Sequence, residues 1–318
     1  MNPFVFLVGC PRSGTTLLRR LLDAHPEVAI IDETLWITRF FERRKGLTPE
    51  GLVTPQLIPR LLGHRRFARL EIGGEELEGL LAAEDGLTYA TFVGRIFDAY
   101  GETRGKRLVG DKSPGYVRSI PTLHSLWPEA QFVHLIRDGR DVALSALAWN
   151  KAERVFGDFR SWREDPVVTA ALWWERSVRL GREAGAALGD GIYHELLFED
   201  LVAGPEQQCA TLCESLGLRY DGEMLRFHEG RARAAADLPS KRQWLPPTPG
   251  LRDWRTQMAA EDIERFEAAA GDLLDELGYA RSAPRTRAAP RGHSLRIRRL
   301  FVEDVVARGR PVPAGWAA

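Results

Sequence analysis

One segment near the amino terminus has the residue types and the spacing of an anion-binding turn. The segment from Gly9 to Thr16 follows the apolar run Phe4–Val8 and precedes the amphipathic stretch Leu17–Ala24. This pattern predicts a strand, a glycine-bearing turn and a helix. Such a turn points several backbone N–H groups and the positive end of a helix dipole at one place. The segment therefore predicts a site for an anion, above all a phosphate.

The spacing is that of a phosphate-binding loop with one change. Gly9 is followed after four residues by Gly14, and Thr15 stands where the pattern G-x-x-x-x-G-K-[ST] has lysine. That lysine contacts the β- and γ-phosphates of a triphosphate. The charged residue of this loop is instead Arg12, whose planar guanidinium suits an oxyanion that presents two oxygens together. The loop favours a nucleotide that is not used as a triphosphate, and an ordinary strand-to-helix turn is the alternative.

Two further charged residues lie at the ends of predicted elements and could take part in group transfer. Glu33 comes just after the first predicted helix, where its carboxylate could accept a proton from a hydroxyl group. Lys112 follows a short predicted strand at 106–110, where its ammonium could stabilise charge on a bridging oxygen. Each has a simpler interpretation, because Asp32 and Glu33 could cap a helix and Lys112 could be a surface lysine.

A second anion site is predicted after the strand at 131–136. Arg137 follows that strand directly, and Ser145 lies about two helical turns further on. Both side chains can therefore face one side of a pocket, where an arginine and a hydroxyl group would hold a phosphate. Together with the turn at 9–16, this site indicates a nucleotide with phosphates at two ends.

The apolar runs predict an α/β fold with a P-loop-like central parallel sheet flanked by helices. The runs are continuous rather than alternating, which is typical of strands that are buried on both faces. Ligands of such sheets bind at the carboxyl ends of the strands, where the candidate residues lie. Strands are predicted at 4–8, 106–110, 131–136 and 191–197, and helices at 138–150, 166–186 and 205–216.

The sequence predicts one main domain, residues 1–280, and a basic Arg- and Pro-rich C-terminal extension, residues 281–318. The extension is predicted to be mobile, with one helix near 294–307. The proline-rich segment 240–252 is predicted to be a surface flap.

The overall composition fits a globular enzyme, with 44% hydrophobic and 28% charged residues in a chain of 318. A formal net charge of zero argues against a nucleic-acid binder. The sequence gives no signal-peptide pattern and no apolar run of the roughly 18 residues that span a bilayer. The three cysteines, Cys10, Cys209 and Cys213, are too few for a disulfide scaffold, which predicts a cytoplasmic protein. No metal-ligand cluster is expected, and Cys209 and Cys213 are interpreted as core residues.

Several of these segments resemble motifs of the sulfotransferases that use 3′-phosphoadenosine-5′-phosphosulfate (PAPS). Residues 11–18 (PRSGTTLL) resemble the 5′-phosphosulfate loop, and residues 136–145 (IRDGRDVALS) resemble the 3′-phosphate motif. Residues 198–202 (FEDLV) and 254–279 resemble the Y-E-D-L segment and the C-terminal helix region. The resemblance covers most of residues 4–280 and is closest to the tyrosylprotein-sulfotransferase-like branch.

The resemblance implies in-line sulfuryl transfer from PAPS to an acceptor, with PAP as the product and without a metal. Glu33 would be the general base, and Arg12 and Lys112 would stabilise the transferring group. Phe198 stands where the family usually has tyrosine, so one hydroxyl contact to the nucleotide is missing. The donor-binding residues implied by the same resemblance are Arg12, Ser13, Gly14, Thr15, Thr16, Arg137 and Ser145.

The sequence leaves the acceptor open: a hydroxyl group of a small molecule, glycan, lipid or peptide fits, and so does an amine. No nucleic-acid partner and no transmembrane segment are expected, and a homodimer is left open. Four tryptophans could line an apolar acceptor cleft, although core packing is the simpler role for most of them: Trp36, Trp149, Trp162 and Trp244. Two other functions stay open, a P-loop small-molecule kinase that uses ATP and a nucleotide-binding scaffold that docks a partner through the basic tail.

Overall fold

The computed structural model describes residues 2–83, 86–189, 191–229, 247–248, 250, 252–282 and 288–316. Within these ranges, no helix is both long enough and apolar enough to cross a lipid bilayer. The segment 240–252, which the sequence predicts to be a flap, lies for the most part outside the described residues, as does Trp244.

One parallel sheet organises the described part of the chain. Its strand order is β2-β3-β1-β4-β5, so the first strand lies in the centre and the chain changes direction across the sheet there. Both neighbours of the first strand run parallel to it. The strands are β1 Val5–Gly9, β2 Val28–Asp32, β3 Leu108–Lys112, β4 Gln131–Ile136 and β5 Tyr193–Leu197.

Helices connect the strands and cover both faces of the sheet. Their starts follow local sequence signals: the Asp165 carboxylate accepts a hydrogen bond from Val168 N at 3.0 Å, and Pro166 occupies the first turn of the longest helix. The helices are α1 Thr15–Ala24, α2 Ile37–Glu42, α3 Leu57–Leu62, α4 Gly74–Ala82, α5 Tyr89–Glu102, α6 Ile120–Leu126, α7 Gly139–Leu147, α8 Ala152–Phe156, α9 Arg160–Glu164, α10 Pro166–Leu188, α11 Phe198–Ala203, α12 Pro205–Ser215, α13 Trp254–Gln257, α14 Ala260–Glu276 and α15 Ala288–Ala307, with 3-10 turns at Phe67–Leu70, Pro114–Arg118 and Gly222–Arg226.

The predicted α/β class with a central parallel sheet is confirmed, and the four predicted strands are present. A fifth strand, β2, was not predicted, although its sequence VAIID is a continuous apolar run. Glu33 therefore follows a strand rather than a helix, and Asp32 is the last residue of that strand rather than a helix cap. Lys112 is itself the last residue of β3.

Alternate residues of the strands pack into separate cores on the two faces of the sheet. Phe6 and Val8 of β1 contact the cluster formed with α5 and α6, whereas Val5 and Leu7 contact the cluster formed with α1 and α12. Cys209 and Cys213 belong to the second of these clusters, as the sequence predicts. A third cluster lies beyond the end of β4 and is built from α7, α10, α14 and α15.

The basic C-terminal segment contributes to this third cluster. Ile297, Phe301 and Val305 of α15 are at most 1% exposed, and the Phe301 ring stacks on Phe159 with centroids 5.6 Å apart. The described part of the segment thus differs from the mobile extension expected from its charge, because an apolar stripe runs along one face of a helix that is otherwise basic. The domain boundary at residue 280 stays a prediction.

The packing of α15 can be tested with a buried and an exposed apolar residue of the same helix. Phe301→Ala removes a fully buried ring, so we expect the free energy of unfolding to fall by about 3–5 kcal/mol. Leu295, which is 65% exposed, is the matched control. Leu295→Ala should change the free energy of unfolding by less than about 0.5 kcal/mol. Equilibrium denaturation in urea measures both values, and equal stability of the two variants would contradict the packed arrangement.

Candidate functional site

The turn between β1 and α1 has a backbone that requires glycine at its end. Gly14 adopts a φ of 95°, in the left-handed region, and Thr15 begins α1 directly after it. A Cβ atom at Gly14 would also lie 2.4 Å from the ring of Phe198, so no larger residue fits there without a shift. Ser13 and Thr15 are buried, and the Ser13 Oγ has no hydrogen-bond partner among the described residues. The turn thus offers a hydroxyl group and helix N–H groups at one place, as an anion site requires.

Arg12 connects this turn to the second predicted anion site. Its Nε donates a hydrogen bond to Ser145 Oγ at 2.9 Å, and its guanidinium lies 5.6 Å from the ring centroid of Trp149. Burial lowers the pKa of Arg12, and the charges of Arg252 and Arg137 lower it further. The shift shows that positive charge is concentrated here at a cost that an anion would offset.

Arg137 lies directly after β4 with its guanidinium between a carboxylate and a ring. Its Nη2 donates to Asp141 Oδ2 at 2.9 Å, and the Phe198 ring centroid lies 4.3 Å from its Cζ. The Arg137 Nε is buried and has no partner in the described part of the chain. The side chain is therefore fixed on two sides, and its buried Nε remains available as a donor.

A buried ionic network holds the turn that carries Arg137. Arg140 is fully buried, donates to both carboxylate oxygens of Asp138 at 3.0 and 2.8 Å, and donates to Glu267 Oε1 at 2.7 Å. Its guanidinium lies 3.6 Å from the ring centroid of Trp254, and the Trp254 Nε1 donates to Asp138. Because every charge in this network has a partner, it fixes the strand end without contributing free charge to the site.

Glu33 and Lys112 form the other predicted group, at the ends of β2 and β3. The Lys112 Nζ lies 3.0 Å from Glu33 Oε1 and 2.6 Å from Asp32 Oδ1, and only 3% of its side chain is exposed. Arg66 Nη1 lies 2.5 Å from Glu33 Oε2. Glu33 has a φ of 57°, an unfavourable conformation for a non-glycine residue, and its N–H donates to Lys112 O at 2.9 Å. The backbone thereby holds the carboxylate over the lysine.

These contacts determine the charge state of the two carboxylates. Burial raises the pKa of Glu33, but the nearby Lys112 and Arg66 outweigh it, so the pKa lies below its usual value. The pKa of Asp32 is lowered in the same way, since Lys112 and nearby arginines outweigh the effect of burial. Glu33 is therefore ionised at neutral pH and can accept a hydrogen bond from a hydroxyl group.

Asp111, next to Lys112 in β3, has a pKa that is shifted in the opposite direction from those of Asp32 and Glu33. It is fully buried, and burial raises its pKa to about 6. Its Oδ2 accepts a hydrogen bond from Thr34 N at 3.0 Å, while Oδ1 has no partner among the described residues. The Thr34 hydroxyl in turn lies 2.9 Å from Tyr116 OH. Asp111 thus fixes the chain that follows Glu33, and it is placed behind the candidate site rather than in it.

A cavity of about 1050 Å³ brings the candidate residues together. Arg12, Glu33 and Arg137 line it, together with Gly14, Thr15, Thr16 and Ser145. Ser13 and Lys112 do not line it, and Lys112 contacts Glu33, which does. Of the tryptophans expected to line an acceptor cleft, Trp149 lines this cavity, whereas Trp36 and Trp162 are packed in the cores.

The described wall of the cavity is strongly basic. Glu33 is the one carboxylate among the described lining residues, and several arginines that belong to no sequence motif add to Arg12 and Arg137. Arg66, the partner of Glu33, is one of them and was not predicted. The basic lining residues are Arg12, Arg20, Arg65, Arg66, Arg118, Arg137, Lys151, Arg154, Arg176, Arg252 and Arg310.

The site fits a nucleotide with two separated anionic groups. The Ser13 Oγ and the Arg137 Nε are buried donors without partners among the described residues, and they lie at the two predicted anion sites. Burial of such atoms is costly unless a ligand satisfies them. In the described ranges, no cluster of His, Cys, Asp or Glu has the arrangement of a metal site.

A family profile, related sequences and a solved structure were compared with this chain. The profile of the Sulfotransferase family matches residues 3–222. Protein-tyrosine sulfotransferase A of Caenorhabditis elegans is 28% identical over 283 residues, which are 87% of this chain and 67% of that protein. Nodulation protein NoeE of Sinorhizobium fredii is 28% identical over 98% of this chain and 76% of its own length. The sulfotransferase domain of the Synechococcus olefin synthase shares the fold, with a TM-score of 0.60 and 24% identity over 89% of this chain and 96% of that domain.

The raised pKa of Asp111 predicts how stability depends on pH. Between about pH 4 and pH 6 the unfolded chain loses this proton while the folded chain keeps it, so stability falls as the pH rises. Two pKa units correspond to roughly 3 kcal/mol. Asp111→Asn abolishes this titration, so we expect the variant to gain stability relative to the wild type between pH 4 and pH 7.

Chemical denaturation at several pH values measures this difference. Asp158→Asn, at an exposed position, is the control and should follow the wild-type pH dependence. A constant difference between Asp111→Asn and the wild type across this range would contradict the assignment.

Proposed function

This chain belongs to the sulfotransferase family, and we propose that it transfers a sulfuryl group from PAPS to a hydroxyl group or an amine of an acceptor. The observation that supports the donor is the lysine-free turn with Arg12 beside Arg137 and Ser145 in one cavity. The same cavity contains one ionised carboxylate, Glu33, which supports a proton acceptor next to the donor site.

The two anion sites would bind the two ends of the donor. The turn residues Ser13, Gly14, Thr15 and Thr16 would hold the 5′-phosphosulfate through hydroxyl and N–H groups at the start of α1. Arg137 and Ser145 would hold the 3′-phosphate, since Arg137 retains an unused donor. Phe198, which replaces the usual tyrosine, packs against both Gly14 and Arg137 and so borders both sites.

The protein residues supply proton transfer and charge stabilisation. PAPS provides the sulfuryl group, which passes to the acceptor oxygen or nitrogen while the bond from sulfur to the 5′-phosphate oxygen breaks. Glu33 takes the proton that the acceptor loses. Arg12 stabilises the negative charge on the transferring group and on the leaving phosphate oxygen, and Lys112 adds positive charge from behind Glu33. Lys112 also keeps Glu33 ionised until the acceptor replaces one of its contacts.

The alternative of an ATP-dependent P-loop kinase is not favoured. Thr15 occupies the position of the lysine that contacts the β- and γ-phosphates, and no motif in this turn replaces it with another lysine. Arg12, the basic group of this turn, hydrogen-bonds Ser145 and so lies between the two proposed anion sites.

The acceptor class is proposed more broadly than the donor. Several relatives are named protein-tyrosine sulfotransferases, which supports a hydroxyl group as the acceptor. The proposal covers hydroxyl groups of peptides, small molecules, glycans and lipids. We also propose a reducing, cytoplasmic environment, because Cys10, Cys209 and Cys213 are free and buried thiols.

The donor proposal predicts selective binding of PAP, the desulfated donor. Isothermal titration should show PAP binding that weakens with salt, and ATP–Mg²⁺ should bind at least tenfold more weakly. Arg137→Gln removes a charged donor to phosphate and should weaken PAP binding by about tenfold or more. Arg226→Gln, an exposed arginine outside the cavity, is the control and should bind PAP like the wild type. Tighter binding of ATP–Mg²⁺ than of PAP would support the kinase instead.

The base assignment predicts a separation of turnover from binding. Glu33→Gln keeps the shape of the side chain but removes the proton acceptor, so we expect kcat to fall by about 10²–10⁴-fold with PAP affinity nearly unchanged. Mass spectrometry can follow the gain of one sulfuryl group across a panel of hydroxyl-bearing acceptors with PAPS supplied. Glu50→Gln, at an exposed position, serves as the control. A fully active Glu33→Gln variant would show that another group takes the proton.

A further inference from the structure

Three arginines of the cavity wall belong to neither of the two anion sites. Arg118 ends the 3-10 turn Pro114–Arg118, which begins two residues after Lys112. Arg176 lies in α10, and Arg310 follows α15. All three line the cavity, and they reach it from elements that carry none of the proposed donor-binding residues. They form the arginine cluster discussed below.

The three charges lie close together, and no described residue supplies a counterion. Burial lowers the pKa of Arg176 to about 9, and the charges of Arg118 and Arg310 contribute. Burial also lowers the pKa of Arg118, again with a contribution from Arg310. No carboxylate of the described residues forms an ion pair with any member of the cluster, and the nearby Cys10 is a neutral thiol because burial raises its pKa to about 12.

Arg176 is the member with a buried donor atom that no described residue satisfies. It is 2% exposed, and its Nε donates to Pro311 O at 2.8 Å, which ties it to the segment that carries Arg310. Its Nη2 is buried and has no hydrogen-bond partner in the described part of the chain. A buried guanidinium with an unused donor at a cavity wall is costly unless a ligand supplies the acceptor.

Aromatic side chains border the same part of the cavity. Trp173 precedes Arg176 by three residues on α10 and therefore lies on the same helix face. Its ring meets Phe156 edge to face with centroids 5.0 Å apart, and both rings line the cavity. Phe301 of α15 lines it as well. Charge and apolar surface thus adjoin each other beyond the donor sites.

We propose that the arginine cluster is an anion subsite for the acceptor. The acceptor would be a hydroxyl-bearing molecule whose aromatic or apolar body packs against the rings and whose own carboxylate, sulfate or phosphate group binds Arg118, Arg176 and Arg310. This proposal rests on the proposed function, since it assigns the substrate class of the same reaction. The position of Arg118, six residues after Lys112, supports an acceptor subsite because it lies on the chain that leaves the Glu33–Lys112 pair.

Titrations of three related probes test the subsite. Phenylacetate, phenyl phosphate and the neutral phenylacetamide are titrated by calorimetry into the full chain, both alone and saturated with PAP. We expect both anions to bind the PAP-saturated protein. The amide should bind at least about tenfold more weakly, because a hydrogen bond to a charged group is lost. The ratio of phenylacetate to phenyl phosphate affinity distinguishes a carboxylate subsite from a phosphate or sulfate subsite.

Variants separate the cluster from the donor sites. Arg176→Gln and Arg310→Gln should each weaken anion binding by about tenfold and leave PAP binding unchanged. Arg310 is exposed, so its variant remains informative if the buried Arg176→Gln variant fails to fold. Arg299→Gln on α15 is the matched control, because Arg299 is exposed and outside the cavity wall. Anion binding that equals amide binding, or that neither variant weakens, would overturn the subsite.

Failure of the proposed function has a different signature. Absence of PAP binding would overturn the donor assignment, whereas the effect of the two variants on anion binding to the free protein would still decide the subsite. Normal PAP binding together with anion affinities that Arg310→Gln does not change would overturn the subsite alone.

Discussion

An excess of positive charge around one cavity is the constraint on which the site depends. Guanidinium groups line the cavity from many elements, and Glu33 is the one carboxylate among the described lining residues. The folded state tolerates the repulsion among these charges because the free energy gained in the surrounding hydrophobic cores exceeds its cost. Burial lowers the pKa of Arg12 and of Arg176, and the charges of neighbouring arginines lower both further. A ligand that brings several negative charges would relieve the repulsion and gain affinity from it.

The neutralised charges of the same region have a different role. Arg140 is as deeply buried as any arginine of the site, yet Asp138 and Glu267 satisfy it fully. This network joins the end of β4 to α14, and Trp254 packs over it. The Lys112 contacts to Asp32 and Glu33 join the ends of β3 and β2 in the same manner. Paired charges thus fix the geometry of the strand ends, and unpaired charges remain for ligands.

The residues that the sequence predicts best are those whose geometry is local. The turn at Gly9–Thr16 and the pair Arg137 and Ser145 depend on a few consecutive residues, so spacing alone places them on one edge of the sheet. The sequence does not predict strand β2, because an apolar run of five residues close to the predicted helix cannot be assigned to a strand by periodicity alone. Arg118 and Arg176 could not be predicted as site residues, because only tertiary packing brings their elements together. The burial of α15 was hidden by its many arginines, which mask the apolar stripe of Phe301 and its neighbours.

The strand order has a consequence for how the chain acquires its structure. β1 lies at the centre of the sheet, but its pairing partners Asp111 and Gln131 come more than a hundred residues later. The strand VFLVG is fully apolar and buried on both faces, and it stays without its final neighbours until residues 108–136 have been synthesised. Pairings of such long sequence separation slow folding and leave apolar strand edges open to aggregation. Chaperone binding to this first strand during translation would therefore favour a high yield of folded protein.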